Sequence, residues 1–355
     1  MHWIADLLAA IGVVLNGIPQ GIMAMGLGFA VFPTTFSFVL ASAVNGAFGS
    51  VAPISFQAES LALTGNLGDT TRERTSIIFG GSLIMAVIGV SGTLTKIVAV
   101  LGNSIMAGMM AIMLAKIAVN MARKQRTAGI SSVAIAIVTY LLTKDLVWTI
   151  ALSVIGSSLI AVFATHYEAE LPAHVVERRF HFLKPIFNIR VIRGALSLAC
   201  LNIGANISYG LITGQMTGIK PNPVNLNLLT GTQAFADMGT SLLGGAPVET
   251  IISATASAPE PVIAGIMMML IMAVILFVGW LPKIGKYVPS ASIAGFLLIL
   301  GAVVIFPENA ATAMQGSDSV IAALTLVVTA IVDPFTGLLT GAALKFILPL
   351  IGLGV

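Results

Sequence analysis

Residues 242–257 read LLGGAPVETIISATAS and lie inside the apolar second half of the chain. Two glycines and Pro247 interrupt any helix at this point, and the carboxyl of Glu249 follows closely. Within a membrane, backbone that is not helical survives only where protein or a water-filled cavity satisfies its polar groups. This stretch therefore predicts a broken membrane segment that borders a cavity.

A second interruption, FGSVAPISFQAE at residues 48–59, occupies the matching place in the first half, where Pro53 corresponds to Pro247. Paired breaks in two halves are the best sequence pointer to the central site of a transporter. We expect the two segments to cross, each as a short extended piece that leads into a half-helix. The half-helices are predicted to begin near Ser55 and Val248.

The composition is that of a membrane protein. Of the 355 residues, 57% are hydrophobic and 9% are charged, and the mean hydropathy is +1.02. A soluble domain carries about 25% charged residues, so we predict a multi-pass protein of the inner (plasma) membrane of a bacterium. The single Cys200 excludes an internal disulfide, and we expect no metal site and no cofactor. The net charge of +3 comes from loops and gives no basis for nucleic-acid binding.

Each span needs about 20 apolar residues, or fewer when it is broken. On this basis we predict an all-α polytopic membrane protein with 14 spans, of which spans 3 and 10 are broken into a short strand plus a half-helix. The predicted spans are 5–29, 34–47, 50–64, 77–90, 98–122, 130–142, 146–164, 194–213, 228–243, 242–257, 262–278, 290–305, 320–332 and 335–353.

The two halves repeat one plan. Residues 104–108 (SIMAG) resemble 291–295 (ASIAG) at an offset of 187, and Asp145 corresponds to Asp333 at an offset of 188. Several matches in order at nearly one offset indicate duplication. Because seven spans is an odd number, the second copy enters the membrane in the opposite direction. We therefore predict a first repeat at 1–166, a polar linker at 167–193 and an inverted second repeat at 194–355.

Three stretches resemble the nucleobase/ascorbate (xanthine/uracil) permeases. Residues 20–25 (QGIMAM) look like the Gln-His-x-x-Ala-Met signature of that family's first span, with Gly21 in the histidine's place. Residues 205–218 (ANISYGLITGQMTG) are similar to its Glu-Asn-x-Gly…Thr-Gly pattern, with Ala205 in the acidic place. The tenth span is similar to its Pro-x-Thr-Thr-x-x-Glu-Asn pattern, with Ser253 in the glutamate's place.

Other stretches resemble the sulfate permeases, which share the same fold. Residues 6–9 (DLLA), 18–20 (IPQ) and 48–50 (FGS) look like parts of their first spans. Those proteins usually end in a cytosolic STAS domain, which this sequence does not contain. The resemblance to both families covers residues 5–353. It implies a core of spans 1–4 and 8–11, a gate of spans 5–7 and 12–14, and a homodimer.

Three acids lie within predicted spans: Glu59, Asp237 and Glu249. A charged residue at the centre of a membrane helix costs about 3 kcal/mol on insertion scales, so each acid is a candidate for proton coupling. The permease family places a carboxylate six residues after the proline that corresponds to Pro247, where this chain has Ser253. Glu59 lies at the same spacing from Pro53, in the other half of the chain. Glu249 falls in the first turn of its expected half-helix, so capping that helix is the alternative to a role in binding or proton coupling. For Asp237 a structural role is favoured.

Amide side chains in the spans can both donate and accept hydrogen bonds, which suits the recognition of an amide or imide edge. Each of them also fits a role in holding helices together. The predicted substrate-binding residues are Gln20, Gln57, Glu59, Asn206, Glu249, Thr250 and Ser253. All four histidines lie outside the spans, and no acid–base pair, metal cluster or nucleophile–base pair is evident, so we predict no catalytic residues and no enzyme.

Two functions remain open from the sequence. The first is a secondary transporter for a small polar solute, namely a nucleobase carried with a proton (or Na⁺) by alternating access. The second is an anion transporter of the sulfate-permease type. The orientation is open as well: twelve Lys and Arg residues follow odd-numbered spans and three follow even-numbered ones. This charge bias places both termini outside, whereas the families resembled keep both termini in the cytoplasm.

Overall fold

The computed structural model describes residues 2–110, 113–144, 146–168, 171–315 and 317–351. In the first half one strand, β1, spans Ile54–Ser55. The helices are α1 His2–Gly26, α2 Val31–Phe48, α3 Ala58–Leu67, α4 Thr71–Ser91, α5 Leu94–Leu101, α6 Asn103–Met110, α7 Met113–Lys124, α8 Arg126–Thr143 and α9 Leu146–Thr165.

The second half begins with a four-residue helix in the linker, α10 Ala173–Val176, and contains the strand β2, Glu249–Thr250. Its other helices are α11 Ile189–Met216, α12 Leu226–Leu242, α13 Pro261–Val278, α14 Trp280–Gly285, α15 Ala294–Ile299, α16 Phe306–Ala313, α17 Ser319–Ile331 and α18 Pro334–Leu350. Short 3₁₀ helices span Ala254–Ser257 and Ser290–Ile293, and a π-helix spans Leu300–Ile305.

Among the described residues, seven helices have at least 18 residues and are apolar enough to cross a membrane: α1, α2, α4, α8, α9, α11 and α13. Many large apolar side chains face outward, among them Leu142, Phe163 and Val90. Exposed apolar surface on this scale is typical of contact with lipid. The prediction of an all-α polytopic membrane protein is confirmed.

The two broken segments meet as predicted. β1 pairs with β2 in antiparallel fashion, Ile54 opposite Thr250 and Ser55 opposite Glu249. The first segment continues after Gln57 into the ten-residue helix α3. Two short strands that run in opposite directions are what two inverted copies place at their crossing point.

The second segment differs from the prediction. No half-helix begins near Val248: that residue precedes β2, and the first helical turn is the 3₁₀ helix Ala254–Ser257. Glu249 therefore lies in a strand and does not cap a helix. Four of the five residues from Val248 to Ile252 are β-branched, which explains the difference, since such side chains favour extended backbone. In the first segment the half-helix begins at Ala58, three residues later than predicted.

Side chains from neighbouring helices hold both broken segments in place. In the first, the Asn45 amide donates to the Ala52 carbonyl at 3.0 Å. In the second, the Ala246 N–H donates to the Thr34 hydroxyl at 2.9 Å, and the Val248 N–H donates to the Asp237 carboxyl at 2.8 Å. Backbone groups that a helix would satisfy internally thus find partners on α2 and α12.

Two groups of helices pack mainly on themselves. In the first group α4 contacts α11 and α12, while α2 and α1 contact α13. In the second, α8 contacts α9 and α15, and α6 contacts α16 and α17. The broken segments belong to the first group, and α1, α9, α11 and α18 provide contacts between the groups.

The structure differs from three further predictions of where segments begin and end. The fifth span, predicted as one helix over 98–122, is interrupted at Gly102, which has a left-handed φ of 88°. The twelfth span extends beyond residue 305 into α16. Most of the described linker has no regular secondary structure, and α11 begins within it at Ile189. Asp145 and the predicted end of the last span at residues 352–353 lie outside the described residues.

Candidate functional site

A cavity of about 620 Å³ lies where β1 and the start of α3 face α1, α11, α15 and α16. A volume of this size falls in the range of small-molecule binding pockets. Its polar lining residues are Asn16, Gln20, Ser55, Gln57, Glu59, Ser208, Tyr209, Gln215, Asn309 and Thr312. The remaining lining residues are apolar or glycine, and none of the described lining residues is Lys, Arg or His.

One wall is a stripe of α1 formed by residues 13, 16, 17 and 20, which share a helix face. The Gln20 amide nitrogen donates to the Asn16 carbonyl at 3.3 Å. The side-chain oxygens of Asn16 and Gln20 are buried and have no hydrogen-bond partner among the described residues. Gly17 permits the close approach of α1, because a Cβ there would lie 3.0 Å from the Ser55 hydroxyl. The wall thus presents two acceptors to whatever occupies the cavity.

The opposite wall is the start of α3. Gln57 precedes the helix, and its side chain makes no capping hydrogen bond. Glu59 lies in the first turn with 4% of its surface exposed. The Tyr209 hydroxyl of α11 donates to Glu59 Oε1 at 2.9 Å, while Glu59 Oε2 is without a partner in the described part of the chain. One oxygen of this carboxyl is therefore fixed and the other is free.

Glu249 and Asp237 lie behind this wall, outside the cavity lining. Glu249 is fully buried, and neither of its carboxyl oxygens has a hydrogen-bond partner of good geometry among the described residues, although the Ser60 hydroxyl lies beside it. Glu59 and Asp237 are both close enough to interact with it electrostatically. None of the ion pairs among the described residues includes one of these three acids. Three acids without a cationic partner are concentrated at the crossing point.

Asn206, Thr250 and Ser253 are fully buried and do not line the cavity. The Thr250 hydroxyl donates to the Asn206 side-chain oxygen at 2.6 Å, and the Asn206 amide donates to Thr230 at 3.2 Å. Ser253 shares a 2.6 Å hydrogen bond with Thr255. These contacts join α11 and α12 to the second broken segment.

The structure thus brings Gln20, Gln57 and Glu59 together on one cavity and leaves the other candidates behind it. The binding and coupling roles of all of them stay predictions. In the described part of the chain, no group of three or more His, Cys, Asp or Glu residues is arranged to hold a metal ion.

Sequence reasoning did not single out the polar lining residues of α11 and α16. On α11 the lining positions 204, 207, 208, 211, 212 and 215 recur at intervals of three and four, and Tyr209 lies beside them. That periodicity marks one helix face and was available in the sequence. Asn309 and Thr312 were missed because the twelfth span was predicted to end at Ile305, before Pro307, whereas the chain enters α16.

No protein-family model and no curated protein sequence matches the chain. Solved structures do match. The transmembrane domain of a cyanobacterium bicarbonate transporter, BicA, is 12% identical with a TM-score of 0.68, covering 96% of this chain and 97% of that one. SLC26A9 is 15% identical with a TM-score of 0.71, covering 99% of this chain and 66% of that one.

A further match is the murine Solute Carrier 26 family member A9 anion transporter in the inward-facing state. It is 14% identical with a TM-score of 0.68, and the match covers 98% of this chain and 68% of that one. The chain thus spans about two thirds of the length of the SLC26A9 chains. It has the fold of the BicA transmembrane domain and of the matched part of SLC26A9, and it is an integral multi-pass membrane protein.

Proposed function

We propose that the protein is a secondary active transporter that carries a small polar solute across the bacterial inner membrane. The cavity at the crossing of two broken segments supports this proposal, since such crossings are where transporters of inverted-repeat design bind their solutes. The two groups of helices would act as core and gate, and alternating access would come from one group moving against the other around the cavity. A homodimer is the proposed assembly.

The solute that best fits the cavity is neutral and carries amide or imide groups, as a nucleobase does. Asn16, Gln20 and Gln57 place three amides on the lining, and two of their oxygens lack partners among the described residues. An amide can donate to a carbonyl and accept from an N–H, so a set of them can pair with both edges of such a ring. The absence of Lys and Arg from the described lining leaves an anion without a cationic partner.

The position of Glu59 is the observation that supports the proposal of proton symport. Its carboxyl is buried at membrane depth, borders the cavity and has one oxygen that is free in the described structure. Acids in this setting are typical of proton relays in transporters. A proton that binds Glu59 lies beside the solute, so the two can be released together. Na⁺ is the alternative coupling ion, and Asp237 and Glu249 are the alternative proton sites.

A second candidate function is anion transport of the sulfate-permease type. The observation that favours it is the fold, because one matched structure is a bicarbonate transporter and another is an anion transporter. An anion could accept hydrogen bonds from the first N–H groups of α3, because the first turn of a helix has no intrahelical acceptor for them. Against this, Glu59 puts a carboxyl in that same first turn.

The experiment uses the full chain in proteoliposomes with an inward proton gradient. Uracil, xanthine, adenine, sulfate, bicarbonate and a dicarboxylate are compared for thermal stabilisation, and each stabilising solute is tested for uptake. We expect a nucleobase to stabilise the protein and to accumulate only with the gradient. We expect Glu59→Gln, which keeps the side chain's shape, to fold normally but to lose gradient-driven uptake.

The matched control is Glu260→Gln, because Glu260 is exposed and lies outside the cavity. It should transport like the wild type. Gradient-driven uptake that persists in Glu59→Gln would exclude Glu59 as the proton site. Stabilisation by sulfate or bicarbonate but by no nucleobase would establish the second candidate function in place of the first.

A further inference from the structure

A second cavity, of about 470 Å³, lies between α7, α8 and α15 and shares no lining residue with the central one. Its wall is apolar except for Arg123 and Arg126. Arg123 is in the last turn of α7 and Arg126 is the first residue of α8, so both lie at the turn that joins these helices. Because charged residues are costly within the hydrocarbon layer, we place this turn at one boundary of the membrane. We call this cavity the α7–α8 groove.

The α7–α8 groove extends from the arginines toward the middle of the membrane. On α8 its lining continues through Ile130 to Val133, seven residues beyond Arg126, which is about 10 Å along a helix. Leu298 of α15 contributes the facing wall. The groove therefore has a charged end at the boundary and an apolar interior in the hydrocarbon layer.

The two arginines are not neutralised by the described part of the protein. Both are exposed, and neither takes part in any ion pair formed by the described residues. The turn between them is anchored, because the side-chain oxygen of Gln125 accepts a hydrogen bond from the Ala291 N–H at 3.3 Å. The turn that carries the two cationic side chains is thus held beside an apolar slot.

We propose that the α7–α8 groove binds an anionic phospholipid. The phosphate lies between Arg123 and Arg126, whose guanidinium groups donate paired hydrogen bonds to its oxygens. One acyl chain fills the groove along Val133 and Leu298. Basic pockets between membrane helices recognise anionic head groups in this way, and the apolar interior selects a lipid over a free phosphate ion.

The test is lipid binding by the intact protein, measured by native mass spectrometry in equal amounts of phosphatidylglycerol and phosphatidylcholine. We expect the wild type to retain phosphatidylglycerol preferentially. The double variant Arg123→Gln/Arg126→Gln should bind it about 30-fold more weakly, at about 1 kcal/mol for each arginine near the surface. The control Lys124→Gln/Arg179→Gln removes the same charge from exposed residues outside the groove and should keep the wild-type affinity.

Val133→Phe tests the apolar part of the groove, because it fills the slot and leaves both arginines in place. It should weaken phosphatidylglycerol binding as well. The proposal is wrong if the wild type shows no preference for phosphatidylglycerol, or if the control loses as much affinity as the arginine variant. Thermal stabilisation by inorganic phosphate equal to that by the lipid would overturn it too, since the groove would then recognise the ion alone.

Discussion

Asp237 offers the sharpest test of how the second broken segment is held. It is 1% exposed on α12, and its Oδ1 accepts the Val248 N–H at 2.8 Å immediately before β2. Asp237→Ala removes that acceptor and leaves a buried N–H without a partner, which costs about 1–3 kcal/mol. Asp237→Asn keeps an oxygen at the same place, so we expect it to lose much less. The pair of variants separates the hydrogen bond from the charge.

The measurement is the thermal unfolding midpoint of each variant in lipid nanodiscs. A long chain shifts by about 2 °C for each kcal/mol lost, so Asp237→Ala should unfold about 2–6 °C below the wild type. Asp237→Asn should fall closer to the wild type than to the alanine variant. Uptake in proteoliposomes is measured in parallel, because Asp237 is also a candidate for proton coupling.

Two outcomes would refute this reasoning. Equal midpoints for Asp237→Ala and the wild type would mean that the hydrogen bond to Val248 does not hold the segment. A midpoint for Asp237→Asn as low as that for Asp237→Ala would mean that the charge, and not the hydrogen bond, holds the segment. Loss of gradient-driven uptake in a normally stable Asp237→Asn would separately assign a role in proton coupling to Asp237.

Two further predictions concern helix contacts. Burial tends to raise the pKa of Asp333, but hydrogen bonds from the start of α18 and from Arg193 outweigh it and hold the pKa below its ordinary value. The wild type should unfold at a higher temperature than Asp333→Asn, and this difference should be full above about pH 5 and shrink as the pH falls below about 4. A difference that does not vary with pH would contradict this. A Cβ at Gly108 would overlap the Ala322 carbonyl of α17, whereas one at Gly12 would meet nothing within 4 Å. Gly108→Ala should therefore lower the unfolding midpoint by the equivalent of about 1–3 kcal/mol, and Gly12→Ala should leave it unchanged or raise it; equal effects of the two variants would refute the close packing of α6 on α17.

Proline and glycine made the breaks predictable, because both residues act locally on the backbone. Pro53 and Pro247 mark the crossing segments correctly. The form of the second segment was not predictable from proline alone, since β-branched residues after Val248 keep the chain extended for several more positions. Gly102 likewise divides a run whose apolar composition predicted one continuous helix. Hydrophobicity reports membrane depth but does not determine where a helix ends.

The candidate site was predicted where residue type and depth were sufficient. Gln20, Gln57 and Glu59 were chosen because a polar side chain within the membrane is costly unless it has a partner or a function. The structure places all three on one cavity. The same criterion selected Asn206 and Thr250, which instead bond to each other. Composition cannot distinguish these two cases, because the direction of a side chain depends on helix rotation and strand phase, which are set by packing.

The strand pair β1–β2 joins the two halves of the chain by backbone pairing, Ile54 with Thr250 and Ser55 with Glu249. Main-chain hydrogen bonds place few demands on residue type. Over evolutionary time the side chains near this joint can therefore be exchanged while the crossing itself persists. A change in the chemistry of the cavity then requires only a few substitutions on its lining, because the strand pair that borders it keeps its geometry.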